Sequence, residues 1–417
     1  MLDQIEPLDV AALTPRLADP AFFMADEFQP LLRWMRDHSP IHWTQAWKEE
    51  GFWSVSRHGD IQSVLDQPLL FSSQEQGNRI PLGPTRYRTE VDPGAGFIPA
   101  STDPPRHGLV RKAFTRAFVG PVIAKYQADC HGIVNEIVDT ALEAGSCDLV
   151  SDVATPLPTY FICQILGIPR SDWGQMAAWA NGFANASEID ANDPDAVART
   201  ERDAQNAIYD YVVELVKARR IAPRGDLVDA AIQAEVNGER LLDPEVNWWV
   251  WSTLVGGLET ARNVITSGMH ALIENPEQQQ LLREQPTVMQ PALDEMLRWA
   301  TPVYGNYRTA TADTQIGEQA IRKGDGVVTW GISGNRDDRV FADPFSFDIR
   351  RNPNPHLTFV FGVHNCIGRM VALMEIRLMV ARFLERTRTI TLNGPNERTA
   401  STVSVGFKSL PVRFEMA

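Results

Sequence analysis

Phe359-Val360-Phe361-Gly362-Val363-His364-Asn365-Cys366-Ile367-Gly368 sets a single cysteine in a glycine-flanked turn. Downstream, Val371, Met374, Leu378 and Ala381 recur at spacings of three and four along a run without proline, which predicts an amphipathic helix. Cys366 therefore stands at a helix N-terminus. Unpaired backbone N–H groups and the positive end of the helix dipole there favour the thiolate, the form that ligates metal. Gly362 and Gly368 let backbone approach the sulfur closely, and Phe359 is placed to cover it against water.

One thiolate without a CxxC partner argues against structural zinc, which takes four closed ligands, and against an iron–sulfur cluster, usually held by four cysteines. Haem iron needs only one such axial ligand. An isolated cysteine in a glycine-bearing loop is most often an inert buried residue, but the pattern around this one is more specific. Phe359-x-x-Gly362-x-His364-x-Cys366-x-Gly368, with Ala372 and Glu375 beyond it, resembles the haem-binding signature of the cytochrome P-450 family. Val360 departs from that signature, since many members carry glycine there.

The resemblance runs from about Trp53 to Phe414. It implies one mostly helical unit over 1–417 with a small β region. Within it the expected parts are an N-terminal segment of about 1–50, a long loop at 74–102, a central helix at 243–275 and the cysteine loop at 359–368. Length alone would suggest two or three domains, yet no linker, repeat or low-complexity segment divides the 417 residues. Met1 to Pro20 carries four acids among short apolar pieces, unlike a signal peptide or membrane anchor, and Trp248–Leu258 is too short to span a bilayer. The four cysteines (130, 147, 163 and 366) show no framework spacing. A cytoplasmic protein without membrane contact is the expectation. A formal net charge of −14 argues against nucleic-acid binding.

Other motifs take their meaning from position. Asp103-Pro104-Pro105-Arg106-His107 opens a helix with prolines expected in its first turn, and His107 and Arg111 share one face of it. Leu242-Asp243-Pro244-Glu245 starts another, with Asp243 as N-cap, that has no stop before Asn275-Pro276 and would span roughly 50 Å. In its middle, Gly256-Gly257-Leu258-Glu259-Thr260 carries two glycines, each unfavourable by ~1 kcal/mol relative to alanine, so a close approach to the backbone is expected. Glu295 and Arg298 are three apart on a helix, ordinarily a surface pair. The run 403–412 reads as a hairpin whose tip reaches the pocket.

The family resemblance assigns these residues roles. It implies haem b, with Cys366 as axial iron ligand, Phe359 and Gly368 lining the loop, and His107, Arg111, Arg308 and His364 on the propionates. It implies that the central helix distorts above the haem, where Thr260 holds dioxygen and its waters and Glu259 relays protons. Glu295 and Arg298 would tie down the segment behind the cysteine. Ser252, Val255, Gly256, Val303, Tyr304, Asn306 and Val405 are candidate pocket residues, joined by Ile80, Leu82, Tyr87 and Phe97 of the long loop.

The implied activity is insertion of one oxygen atom from O2 into a C–H bond of an apolar small molecule. The stretches 348–356 and 308–314 look similar to bacterial members that oxidise sterols, terpenoids or fatty chains. Electrons would come from NAD(P)H through a separate ferredoxin reductase and ferredoxin, the latter docking on those of Arg106, Arg111, Lys112 and Arg116 that haem does not occupy. Two alternatives stand beside this reading: a peroxide-driven haem-thiolate peroxygenase, and a non-catalytic haem- or lipid-binding protein.

Overall fold

The helix Asp243–Glu274 crosses the molecule and the other long helices pack around it. The computed structural model describes residues 9–47, 50–80, 94–115, 118, 121–184, 194–400 and 404–417; Leu82, Tyr87 and Arg116 lie outside these. The central helix begins where the sequence predicts, with Leu242 rather than Asp243 at the N-cap, and the Leu242 N–H donates to Glu245 Oε2 at 2.7 Å. It ends at Asn275, before Pro276, which cannot continue the ladder.

Val246, Trp249, Val250, Leu254, Leu258, Val264, Ile265, Met269 and Leu272 carry its buried face into the main core. The helices Pro156–Ile165, Pro194–Ile221, Met289–Ala300 and Arg369–Arg386 pack on it, and Pro121–Glu143 packs behind Pro156–Ile165 and Arg369–Arg386. Gly268 sets one crossing: a Cβ there would lie 2.3 Å from the Met296 side chain, so glycine lets the helix Met289–Ala300 approach this closely.

The β region is a five-stranded sheet in the order Ile41–Trp47, Glu50–Val55, Gly326–Thr329, Asn306–Ala310, Phe71–Ser72. All its pairings are antiparallel except Glu50–Val55 with Gly326–Thr329. A second core of Phe22, Phe23, Phe52, Tyr304, Tyr307 and Trp330 packs on it. Near the C-terminus, Glu397–Ala400 pairs with Val405–Ser409, so the hairpin spans 397–409 instead of 403–412. Pro411–Met416 leaves it to pair with Thr387–Leu392 and Ser146–Asp148. Among the described residues no helix is long and apolar enough to cross a membrane.

Candidate active site

The cysteine loop is fixed by its own backbone. Cys366 N–H donates to the Phe359 carbonyl at 2.8 Å, Asn365 N–H to Gly362 at 3.1 Å, and Asn365 Nδ2 to Val360 at 3.0 Å. Gly362 adopts φ +72° with Leu65 O 2.8 Å from where a Cβ would stand, so glycine is required there. Val360 adopts φ +61°, a left-handed conformation that a β-branched residue rarely takes.

The helix that follows starts at Arg369, with Gly368 as N-cap. The backbone N–H groups of Gly368 and Arg369 reach the Cys366 sulfur, as the sequence predicts. Burial raises the thiol pKa, while those N–H groups and the nearby Arg111 and Arg369 guanidiniums pull it down. By surface area the residue is exposed, yet its sulfur is surrounded closely enough by protein for burial to dominate. A group both accessible and interior lines a cavity. Phe359 is buried beside it, with the Arg369 guanidinium 5.5 Å from its ring centre.

The loop is pinned from behind by Glu295 and Arg298, both fully buried. Arg298 Nε and Nη2 form a two-pronged pair with the Glu295 carboxylate at 2.7 Å each. The arginine also donates to the carbonyls of Asn335 and Pro344, and the glutamate accepts from Asp348 N–H, Arg351 Nε and Asn354 Nδ2. Asn335 in turn holds Leu357 N–H at 2.7 Å and Thr358 Oγ1 at 3.1 Å, directly before Phe359. The pair is therefore an interior clamp on the lead-in to Cys366.

On the other side of the cysteine, basic groups converge. His107 is buried with its ring centre 4.3 Å from that of His364, and Arg308 is buried behind them. Arg111 lies near enough to depress both imidazoles and to act on the Cys366 thiol. Burial, then Arg308 and His107, push the His364 pKa down to about 3; burial brings Arg308 to about 10. His107 Nε2 and His364 Nδ1 are buried without a hydrogen-bond partner.

Asp103, the carboxylate whose charge reaches Arg308 and His107, is itself held by Ser72 Oγ, Ser73 N–H and Ser73 Oγ. Ser73 Oγ lies 3.4 Å from His364 Nε2. Crowded cationic donors with orphaned imidazole nitrogens beside a cavity-facing thiol fit a group carrying two carboxylates and a thiolate-seeking metal. Haem is such a group. Pro104 and Pro105 form the turn before the helix Arg106–Thr115 and stand outside its first turn. Arg106 is paired with Glu245, which removes it from the free cations of that helix.

The central helix runs as an uninterrupted α-helix, without the distortion that the resemblance implied. Thr260 Oγ1 donates to the Gly256 carbonyl at 2.9 Å. A Cβ at Gly256 would meet nothing within 4 Å, whereas Gly257 faces Ile162 at ordinary contact distance, so neither glycine answers to a close backbone approach by protein. Glu259 bonds to Ser404 Oγ on the C-terminal hairpin.

Ser252 Oγ donates to Trp249 O, and Val255 and Val405 are half-buried against core residues. Val303 bridges Ser404, and Asn306 opens a sheet strand. Tyr304 is fully buried and stacked on Phe23 at 3.8 Å, and Ile80 sits in the same core; both build the aromatic core where pocket contacts were expected. Phe97 is half-buried. Ser73, Asp103 and Arg369 join the thiol and its basic cluster, and Asn263 and Ser404 gather at Glu259, without a sequence signal beyond their nearness to recognised motifs.

Fold and site together define a haem-thiolate architecture. Residues 185–416 match the family model for cytochrome P-450. A steroid C26-monooxygenase of Mycolicibacterium smegmatis is 32% identical over 91% of this chain and 89% of its own, and a linalool 8-monooxygenase of Pseudomonas putida is 33% identical over 95% and 98%. A solved cytochrome P-450 of Mycobacterium marinum, in complex with pseudoionone, superposes with a TM-score of 0.86 at 28% identity, covering 99% of this chain and 100% of that one. The chain belongs to the cytochrome P-450 family, is a monooxygenase of that class, and shares its mainly helical fold.

Proposed function

We propose that the protein inserts one oxygen atom from O2 into a C–H bond of an apolar steroid, terpenoid or fatty-chain molecule, using haem b ligated by Cys366. The supporting observation is the cluster of buried Arg308 and His107 with half-buried Arg111 and His364 near the Cys366 thiol, with two imidazole nitrogens left unpartnered.

Bound haem would supply the iron at which dioxygen is activated, and thiolate ligation favours O–O cleavage. The protein's own residues do the rest. Gly368 and Arg369 N–H groups and the Arg111 charge hold the thiol toward its ionised form against the cost of burial. Arg308, Arg111, His107 and His364 seat the propionates; burial first, then the neighbouring cations, keep His364 neutral, and an anion placed there offsets the cationic part. Phe359, buried next to the loop, would shield the sulfur on its own side. Thr260 offers a hydroxyl to the chamber and Glu259 the proton source beside it. Ser252, Val255, Gly256, Val303, Asn306 and Val405 line the substrate side.

Electrons reach the site from NAD(P)H through a ferredoxin reductase and an acidic ferredoxin, which docks near Lys112, exposed on the helix Arg106–Thr115. The proposal includes cytoplasmic residence, where such partners and a reducing medium for four unpaired thiols coincide. A panel of steroids and acyclic terpenoids tests the reading: members that shift the haem spin state are turned over under 18O2 with ferredoxin, reductase and NAD(P)H. A hydroxylated product carrying one 18O, formed only with the ferredoxin present, is the expected result. Equal yield from peroxide without ferredoxin contradicts the electron route, and a panel without any binder contradicts the substrate class.

A further inference from the structure

The C-terminal hairpin delivers a serine to the acid of the central helix. Ser404 Oγ donates to Glu259 Oε1 and accepts from Asn263 Nδ2 at 3.0 Å, so the hydroxyl is oriented at both ends. Its backbone is equally fixed. Tyr304 Oη donates to the Ser404 carbonyl at 2.8 Å, Val303 bridges Ser404, and Val405 N–H donates to the Pro302 carbonyl at 3.3 Å.

Tyr304 is a firm anchor, fully buried and stacked on Phe23. Gly406 is what allows the hairpin to reach the helix, because a Cβ there would lie 2.2 Å from Asn263 Oδ1. Glu259 and Asn263 are four apart and share the face turned to the hairpin; Thr260 and Gly256 share the next face around. The acid beside Thr260 is thus held from a separate element 145 residues away in the chain.

We propose that Ser404 is a positioning residue for proton delivery: it sets the orientation of the Glu259 carboxylate, with Asn263 fixing the serine hydroxyl. The inference rests on the reading of Glu259 as the proton source. In this role Ser404 acts through the Glu259 carboxylate, to which its hydroxyl donates. No proton transfer to Ser404 is required, since the hydroxyl keeps its proton while donating to Oε1.

Ser404→Thr and Ser404→Val form an isosteric pair that differs by the hydroxyl. Infrared difference spectra of the ferric protein on substrate addition, with Glu259→Gln assigning the band, read the carboxylate directly. In the wild type and Ser404→Thr the Glu259 carboxylate band should coincide; in Ser404→Val it should move. Product per reducing equivalent should fall about tenfold in Ser404→Val, short of the roughly hundredfold that loss of a positioned proton donor itself costs because the carboxylate stays in place, with a larger solvent deuterium effect on turnover and an unchanged substrate spin-state shift. Ser404→Thr should restore both. Threonine and valine variants alike in band position and in coupling would overturn the proposal, including when both fall equally below the wild type. If Glu259→Gln itself leaves coupling intact, the reading of Glu259 fails instead.

Discussion

Val360 is the residue at which this chain strains its own site. Its φ of +61° lies where an L-residue costs roughly 1–2 kcal/mol and a β-branched one is an outlier. The same position is the one departure from the family signature, which carries glycine in many members. The sequence registered the departure but not its cost, because a left-handed backbone leaves no trace in side-chain periodicity. Replacing Val360 by glycine or by alanine removes similar packing, while only glycine also relieves the backbone. Val360→Gly is therefore expected to be more stable than Val360→Ala by about 1 kcal/mol, the reverse of the usual order. Equilibrium denaturation of the two variants checks this, and an alanine variant as stable as the glycine one would show the loop to be unstrained. Ser404 was illegible for a related reason: its partner Glu259 lies far off in sequence, and a lone serine carries no motif.

The elements that sequence periodicity marks best are those whose neighbours impose one clear face. The central helix, the helix after Cys366 and the Glu295–Arg298 pair all stand at the expected positions. The hairpin was misplaced because Val405–Ser409 and Pro411–Met416 alternate alike, and only the sheets they join tell them apart. The helix Arg369–Arg386 hides a further feature. Glu375 is buried inside it, and burial raises its pKa to about 8 from an ordinary value near 4.5. The folded state keeps a proton that the unfolded chain releases above its own carboxylate pKa. The contribution of Glu375 to stability is therefore greatest at acidic pH and falls as pH rises from about 4.5 to about 8, by an upper figure on the order of 5 kcal/mol. Glu375→Gln should flatten that slope in denaturant melts recorded across the window. A slope unchanged by the substitution would place Glu375 outside the effect.

At the scale of the whole molecule, the site exists because distant segments are brought to one chamber. Cys366 comes from the loop before one helix, His107 and Arg111 from another, and Arg308 from a sheet strand; the proposed function adds Thr260 from the middle of the central helix. Their order along the chain was readable through family resemblance. Their convergence is a property of the packing, in which the Glu295–Arg298 clamp fixes the lead-in to the cysteine and Asp103 with Ser73 braces the basic cluster. The central claim is that this chamber holds haem through the Cys366 thiolate. Its most direct test is the absorption difference spectrum of the dithionite-reduced protein with and without carbon monoxide. A strongly red-shifted Soret band that Cys366→Ala abolishes is the predicted result; a band typical of histidine-ligated haem, or well-folded protein that takes up no haem, would contradict the claim.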